Sequence, residues 1–152
     1  MNRSTNQNMC NVLDVASYIL AKQGPMTTMK LQKLVYYAQA WSLVWDEKPL
    51  FRSKIEALAN GPVVPALYKF HKGQFKVRRL PFGDGRRIIR RVARKRTLDA
   101  VLAYYGKKSS QWLSNLTHSE RPWKDARKGL SPRTRGNREI THEAMAWYYS
   151  SL

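Results

Sequence analysis

Three histidines, one cysteine and ten carboxylates are the groups that could carry acid–base, nucleophilic or metal chemistry in this 152-residue chain. His71, His118 and His142 stand far apart in sequence. The most tempting pair is in "THSERPW", where Glu120 follows His118 by two residues and a carboxylate can orient an imidazole as a base. The same spacing suits a histidine that is hydrogen-bonded at a helix end and helps to seat Pro122-Trp123, and this structural reading is favoured. "HEAMA" at 142–146 lacks the second histidine of a helical zinc motif. There is no P-loop, no G-x-G-x-x-G and no nucleophile elbow. Cys10 stands alone, so an internal disulfide is excluded, and no Cys/His cluster has metal-ligand spacing. The expectation is a protein that is not an enzyme, with no catalytic residue, no cofactor and no metal.

Charge is the stronger signal. The net is +18, from 28 Lys/Arg against 10 Asp/Glu. Residues 72–96 hold eleven of the basic groups against Asp84 alone, and residues 121–138 hold seven against Asp125. The rest of the chain is close to neutral. Arginine dominates both segments, and its planar fork suits carboxylates and phosphates better than a lysine does. The candidate partner-binding residues are therefore Arg78, Arg79, Arg86, Arg87, Arg90, Arg91, Arg94, Arg127, Arg133 and Arg135. Either an acidic protein or the phosphates of DNA or RNA would satisfy them. No segment approaches the roughly 20 apolar residues of a membrane span, and the polar start "MNRSTNQNMC" has no leader-like apolar run. A cytoplasmic protein is expected.

A helical framework has to position these groups. The length suits one domain, read as 11–152 behind a flexible 1–10. Asn11 caps a first helix, with Val12, Val15, Ala16, Ile19 and Leu20 on one face and Gly24-Pro25 as its stop. A second helix starts at Thr28; Leu31, Leu34, Val35, Ala38, Trp41 and Trp45 make a broad apolar stripe, expected to be core. Phe51, Ile55 and Leu58 suit a short strand or an irregular approach. In "NGPVVPALYKFHKG" Gly61 supplies a sharp turn and Pro62 forbids helical continuation, while Pro65 fits the first turn of a short helix ending near Gly73. Between 75 and 92 a β-hairpin about Gly83-Asp84-Gly85 competes with a helix from Arg86, and an apolar phase jump asks for either a break near Arg96–Thr97 or a strand before the helix. Further helices are expected at 97–105, 110–117 and 141–149, the last capped by Thr141, with a loop over "KGLSPRTRGNRE". The fold class is mainly α: five to seven helices, with a small β-hairpin near 75–92 as the candidate β element where a helix competes. The paired tyrosines 36/37, 104/105 and 148/149 read as core filling.

These pieces resemble a known family. "MKLQKLVYYAQAWSLVWDEKPLF" and "IEALANGPVVPALYKFHKG", followed by "LDAVLAYYG", "LTHSERPWKDAR" and "REITHEAMAWYY", are similar to the Panacea domain, also called SocA-like or phage-associated GepA-like. The matching positions are Leu31, Gln32, Lys33, Leu34, Tyr36, Tyr37, Ala38, Gln39, Gly61, Pro62, Val63, Pro65, Tyr68, Pro122 and Trp123. The resemblance implies a mainly helical fold and an antitoxin that binds and neutralises a cognate toxin protein, commonly encoded beside it and often on a prophage. It implies no catalytic group; Gly61, Pro62, Val63, Pro65, Tyr68, Pro122 and Trp123 mark the fold. The basic "RRIIRRVARKR" departs from the acidic or neutral residues that relatives commonly carry before "LDAVL". The alternative is therefore a nucleic-acid-binding accessory protein using the same arginines.

Overall fold

A computed structural model describes residues 10–152, and the segment read as a flexible terminus lies, but for Cys10, outside them. Helix α1, Val12–Gln23, starts at a capping box: Asn11 accepts from the Asp14 amide, and Asp14 accepts from the Asn11 amide in return. Gly24, at φ 81°, closes it. A two-residue strand, β1 (Met26–Thr27), leads into α2, Thr28–Trp45, which Thr27 caps through the Lys30 amide. Every residue from Leu31 to Ala40 is buried, so α2 is apolar-packed on all sides and is the axis of the domain. Helices α1, α5 (Val92–Tyr105), α6 (Ser110–Ser119) and α8 (His142–Ser150) pack round it. The stripe expected from the sequence holds up to Trp41; Trp45 breaks the pattern and is half exposed.

Two buried glutamines on α2, two helical turns apart, hold the extended chain that follows. Gln39 Oε1 accepts from the Leu50 amide at 2.7 Å while its Nε2 donates to Phe51 O at 2.8 Å. Gln32 Oε1 accepts from the Val64 amide at 2.9 Å, and its Nε2 donates to His71 Nε2 at 2.9 Å. Each side chain does the work of a neighbouring strand, so the buried backbone is satisfied without a longer sheet. Between these clamps, β2 (Ile55–Leu58) and β3 (Gly61–Val63) form an antiparallel hairpin, with Ala57 opposite Pro62. On the other side of β2 lies β5 (Glu139–Ile140), with Ile55 opposite Ile140, giving the order β3-β2-β5. Pro65 then opens α3, Pro65–His71.

The hairpin at 75–92 does not form. Instead β4, Lys76–Val77, pairs with the distant β1, Met26 opposite Val77, because Val77 has a buried seat there. The Gly83-Asp84-Gly85 turn lies on α1: a Cβ at Gly83 would stand 2.5 Å from Leu13 O, and the Asp84 amide donates to Asp14 Oδ1 at 2.7 Å. Helix α4, Arg86–Ile89, follows and buries Ile88. The break falls at Arg90–Arg91, with Arg91 extended at φ −121°, rather than at Arg96–Thr97. One extended residue there is enough to bring Leu98, Val101, Leu102 and Tyr105 onto the buried side of α5. Helix α7, Arg121–Ala126, was absent from the sequence reading, and Pro122 sits in its first turn. The domain is thus mainly α, with eight helices and two small antiparallel sheets among the described residues.

Candidate partner-binding surface

The ten arginines divide into three groups. Arg78, Arg79, Arg86, Arg90, Arg91, Arg133 and Arg135 are exposed. Arg86 is forked onto Asp84 at 3.0 and 3.2 Å, a pair that surface screening makes weak. Arg87 and Arg94 are half buried: Arg87 lies 3.7 Å from the buried Asp14 carboxylate, and Arg94 donates to Arg87 O at 3.2 Å. Arg127 is a correction. It is only 5% exposed, and its guanidinium donates to Ala57 O, Ser131 O and Thr134 O. Five donors in a fixed fork can tie strand β2 to the 128–138 loop at once, so Arg127 belongs to the fold, not to a presented surface.

The family-motif positions are mostly architectural. Gly61 has φ 120°, and a Cβ there would stand 2.5 Å from Lys33 Cε. Pro62 and Pro122 are buried. Trp123 donates through Nε1 to Leu58 O at 2.7 Å and stacks on His118 with ring centres 4.1 Å apart. Val63 and Tyr68 do something else: they line a cavity.

His118 and Glu120 do not form a pair. The Glu120 carboxylate is buried and accepts from the Tyr37 and Tyr149 hydroxyls at 2.6 and 2.8 Å, with Tyr36 bonded to Tyr149 at 3.0 Å. Burial holds the Glu120 carboxyl above its ordinary range, and the two hydroxyl donors partly offset this. His118 Nε2 is buried with no hydrogen-bond partner. Burial, and then the Lys33 charge, hold the ring below its usual pKa. The tyrosines at 36, 37, 105 and 149 are core, as the sequence implies, whereas Tyr104 stands out in solvent. No group of three or more His, Cys, Asp or Glu among the described residues could hold a metal. No helix among them is long and apolar enough to cross a membrane.

Sequence reasoning missed two features. The first is an aromatic face. Trp45 stacks on Trp41 at 4.9 Å; Trp41 donates to the Tyr105 hydroxyl; Tyr104 abuts Tyr105; and Lys108 lies over Tyr104 and Trp112 at 6.0 and 4.7 Å. Across Tyr149 the same network reaches Tyr148; separately, on the outward side of α8, Arg121 caps Trp147 at 4.8 Å. Trp45, Tyr104 and Trp147 are each at least half exposed. Helical spacing assigns such rings to a core, but here the ends of α2, α5 and α8 leave them uncovered. The second is Lys33, only 1% exposed in the middle of the apolar α2 stripe, with its Nζ donating to Pro62 O at 3.2 Å. Desolvation pulls its pKa down to about 8. A lysine flanked by Leu31, Leu34 and Val35 was the available signal. It lines a cavity of about 730 Å³ between α2, the β2–β3 turn, α3 and the 128–138 loop.

No curated protein and no solved structure matches the chain. Residues 31–124 do match the family described as antitoxin SocA-like, Panacea domain. That span runs from the buried face of α2 through the glutamine-clamped hairpin to Trp123 in α7, and on that match the chain belongs to the Panacea-domain family of SocA-like antitoxins.

Proposed function

We propose that this protein neutralises a toxin protein by direct complex formation, catalysing no reaction itself, in the cytosol and from a phage or prophage locus. One observation carries the reading: a member of an antitoxin family presents an uncovered aromatic face of Trp45, Tyr104 and Trp112, edged by Lys108. Trp, Tyr and Arg are the residues that dominate binding energy at protein interfaces. The +18 net charge favours an acidic partner and speeds encounter with it. The test is genetic and physical. The product of the neighbouring gene should arrest growth alone and not when this chain is co-expressed, and the two should co-purify at a fixed ratio. Free growth of the first strain, or no complex, would overturn the reading.

A second reading has its own support. Arg78, Arg79, Arg90 and Arg91 are exposed and, among the described residues, have no carboxylate within 4.0 Å, so phosphates of DNA or RNA could take them. This predicts retention of generic duplex or single strands at low salt, with a log–log slope near the number of contacts. No gel shift at low salt removes it.

A further inference from the structure

We infer that the cavity over Lys33 is a binding site for a small organic anion: a carboxylate or phosphate monoester on an apolar ring. The inference is independent of the toxin reading. At about 730 Å³ the space falls within the size range of small-molecule sites. Its chemistry is one-sided. Lys33 is buried, donates to Pro62 O, and has no carboxylate within 4.0 Å among the described residues. Lys72 and Arg135 add two exposed cations to the lining. The one acid there, Glu56, is paired with Lys54 at 3.4 Å. His71 accepts from the Gln32 amide and is held below its usual pKa by burial, so it adds no charge.

A buried ammonium without a counter-ion is an arrangement that a methionine of similar length would replace at lower cost. Yet the hairpin is shaped round it. Gly61 leaves the space that Lys33 Cε and Nζ fill, since a Cβ would stand 2.5 and 3.1 Å from them. A positive group held in place before any ligand arrives is what anion recognition requires. Met29, Leu58, Val63 and the Tyr68 ring add an apolar portion to the wall, which also carries Thr28 and Asn60, and offer a surface for a ring to lie on.

The test uses the purified full chain and two matched probe pairs, benzoate with benzamide and AMP with adenosine, titrated by calorimetry. At least one anion should bind about tenfold tighter than its neutral partner. Which pair responds separates carboxylate from phosphate. Lys33→Met should remove that preference, and in the wild type the preference should decline as pH rises through about 8. Should the variant fail to fold, the pH series decides alone. Equal binding of both members in both pairs, an unchanged preference in Lys33→Met, or a preference flat across that pH range would overturn the site.

Discussion

Replacing Lys33 by methionine isolates the least ordinary charge in the domain. In the folded chain Lys33 releases its proton near 8 rather than at the usual 10.5, and the cause is desolvation. The side chain is almost wholly buried, so solvent screening takes little away; the difference corresponds to roughly 3 kcal/mol held against the folded state at neutral pH. Methionine has similar length and no charge, and it leaves Pro62 O without its donor, a loss of about 1–2 kcal/mol. The variant should therefore be about 1–2 kcal/mol more stable at pH 7, a rise of about 2–8 °C in Tm. The sign with pH is fixed. Below about 8 both folded and unfolded states hold the proton and the folded state carries the full cost. Between 8 and 10.5 the folded state has released it while the unfolded state has not, so wild-type stability rises with pH. Buried tyrosines, raised by desolvation, act the other way near the top of that range. They cancel in the wild-type minus variant difference. Urea melts followed by tryptophan fluorescence across this range should show the variant's advantage shrinking and then reversing. A variant less stable than wild type at pH 7, or a pH-independent difference, would refute the reasoning.

Gly61→Ala should destabilise by about 2–4 kcal/mol, from positive φ plus the contact with Lys33. Combining it with Lys33→Ala should recover the steric part and leave the backbone part, read as a coupling in a double-mutant cycle. Arg127→Met should cost about 2–4 kcal/mol, because three carbonyls lose a charged donor together; chemical denaturation checks it, and a change below about 0.5 would return Arg127 to the surface set. Arg90→Glu with Arg91→Glu should leave stability within about 0.5 kcal/mol per site while slowing association with an acidic partner several-fold at low salt. Stopped-flow rates that do not move would make that cluster a bystander.

How far the sequence could be read depended on how local each determinant was. The caps at Asn11 and Thr141, the stop at Gly24-Pro25 and the apolar stripe from Leu31 are local signals, so α1, α2 and α8 were legible. Strand β4 was not, because Val77 finds its partner about fifty residues back, at Met26. The break at Arg91 was misplaced for a related reason: α4 packs on α1 while α5 packs on α2, which periodicity along one segment does not reveal. Among site residues, the exposed arginines followed from charge, whereas Arg127 was misread because its three acceptors come from Ala57 and a loop. Trp45 and Tyr104 carry helical core spacing, and only the packing of α5 and α8 beside α2 leaves them open. Gln32 and Gln39 stood in the family motif, but nothing in their spacing says that they clamp Val64 and Leu50–Phe51.

The binding claim is tested most directly by sedimentation of this chain with the product of the neighbouring gene, the proposed toxin, as wild type and as Trp45→Ala with Tyr104→Ala. The account predicts a stoichiometric complex for the wild type and a Kd at least about a hundredfold weaker for the double variant, which should melt like its parent. Two proteins that sediment separately, or a complex indifferent to loss of both rings, would contradict it.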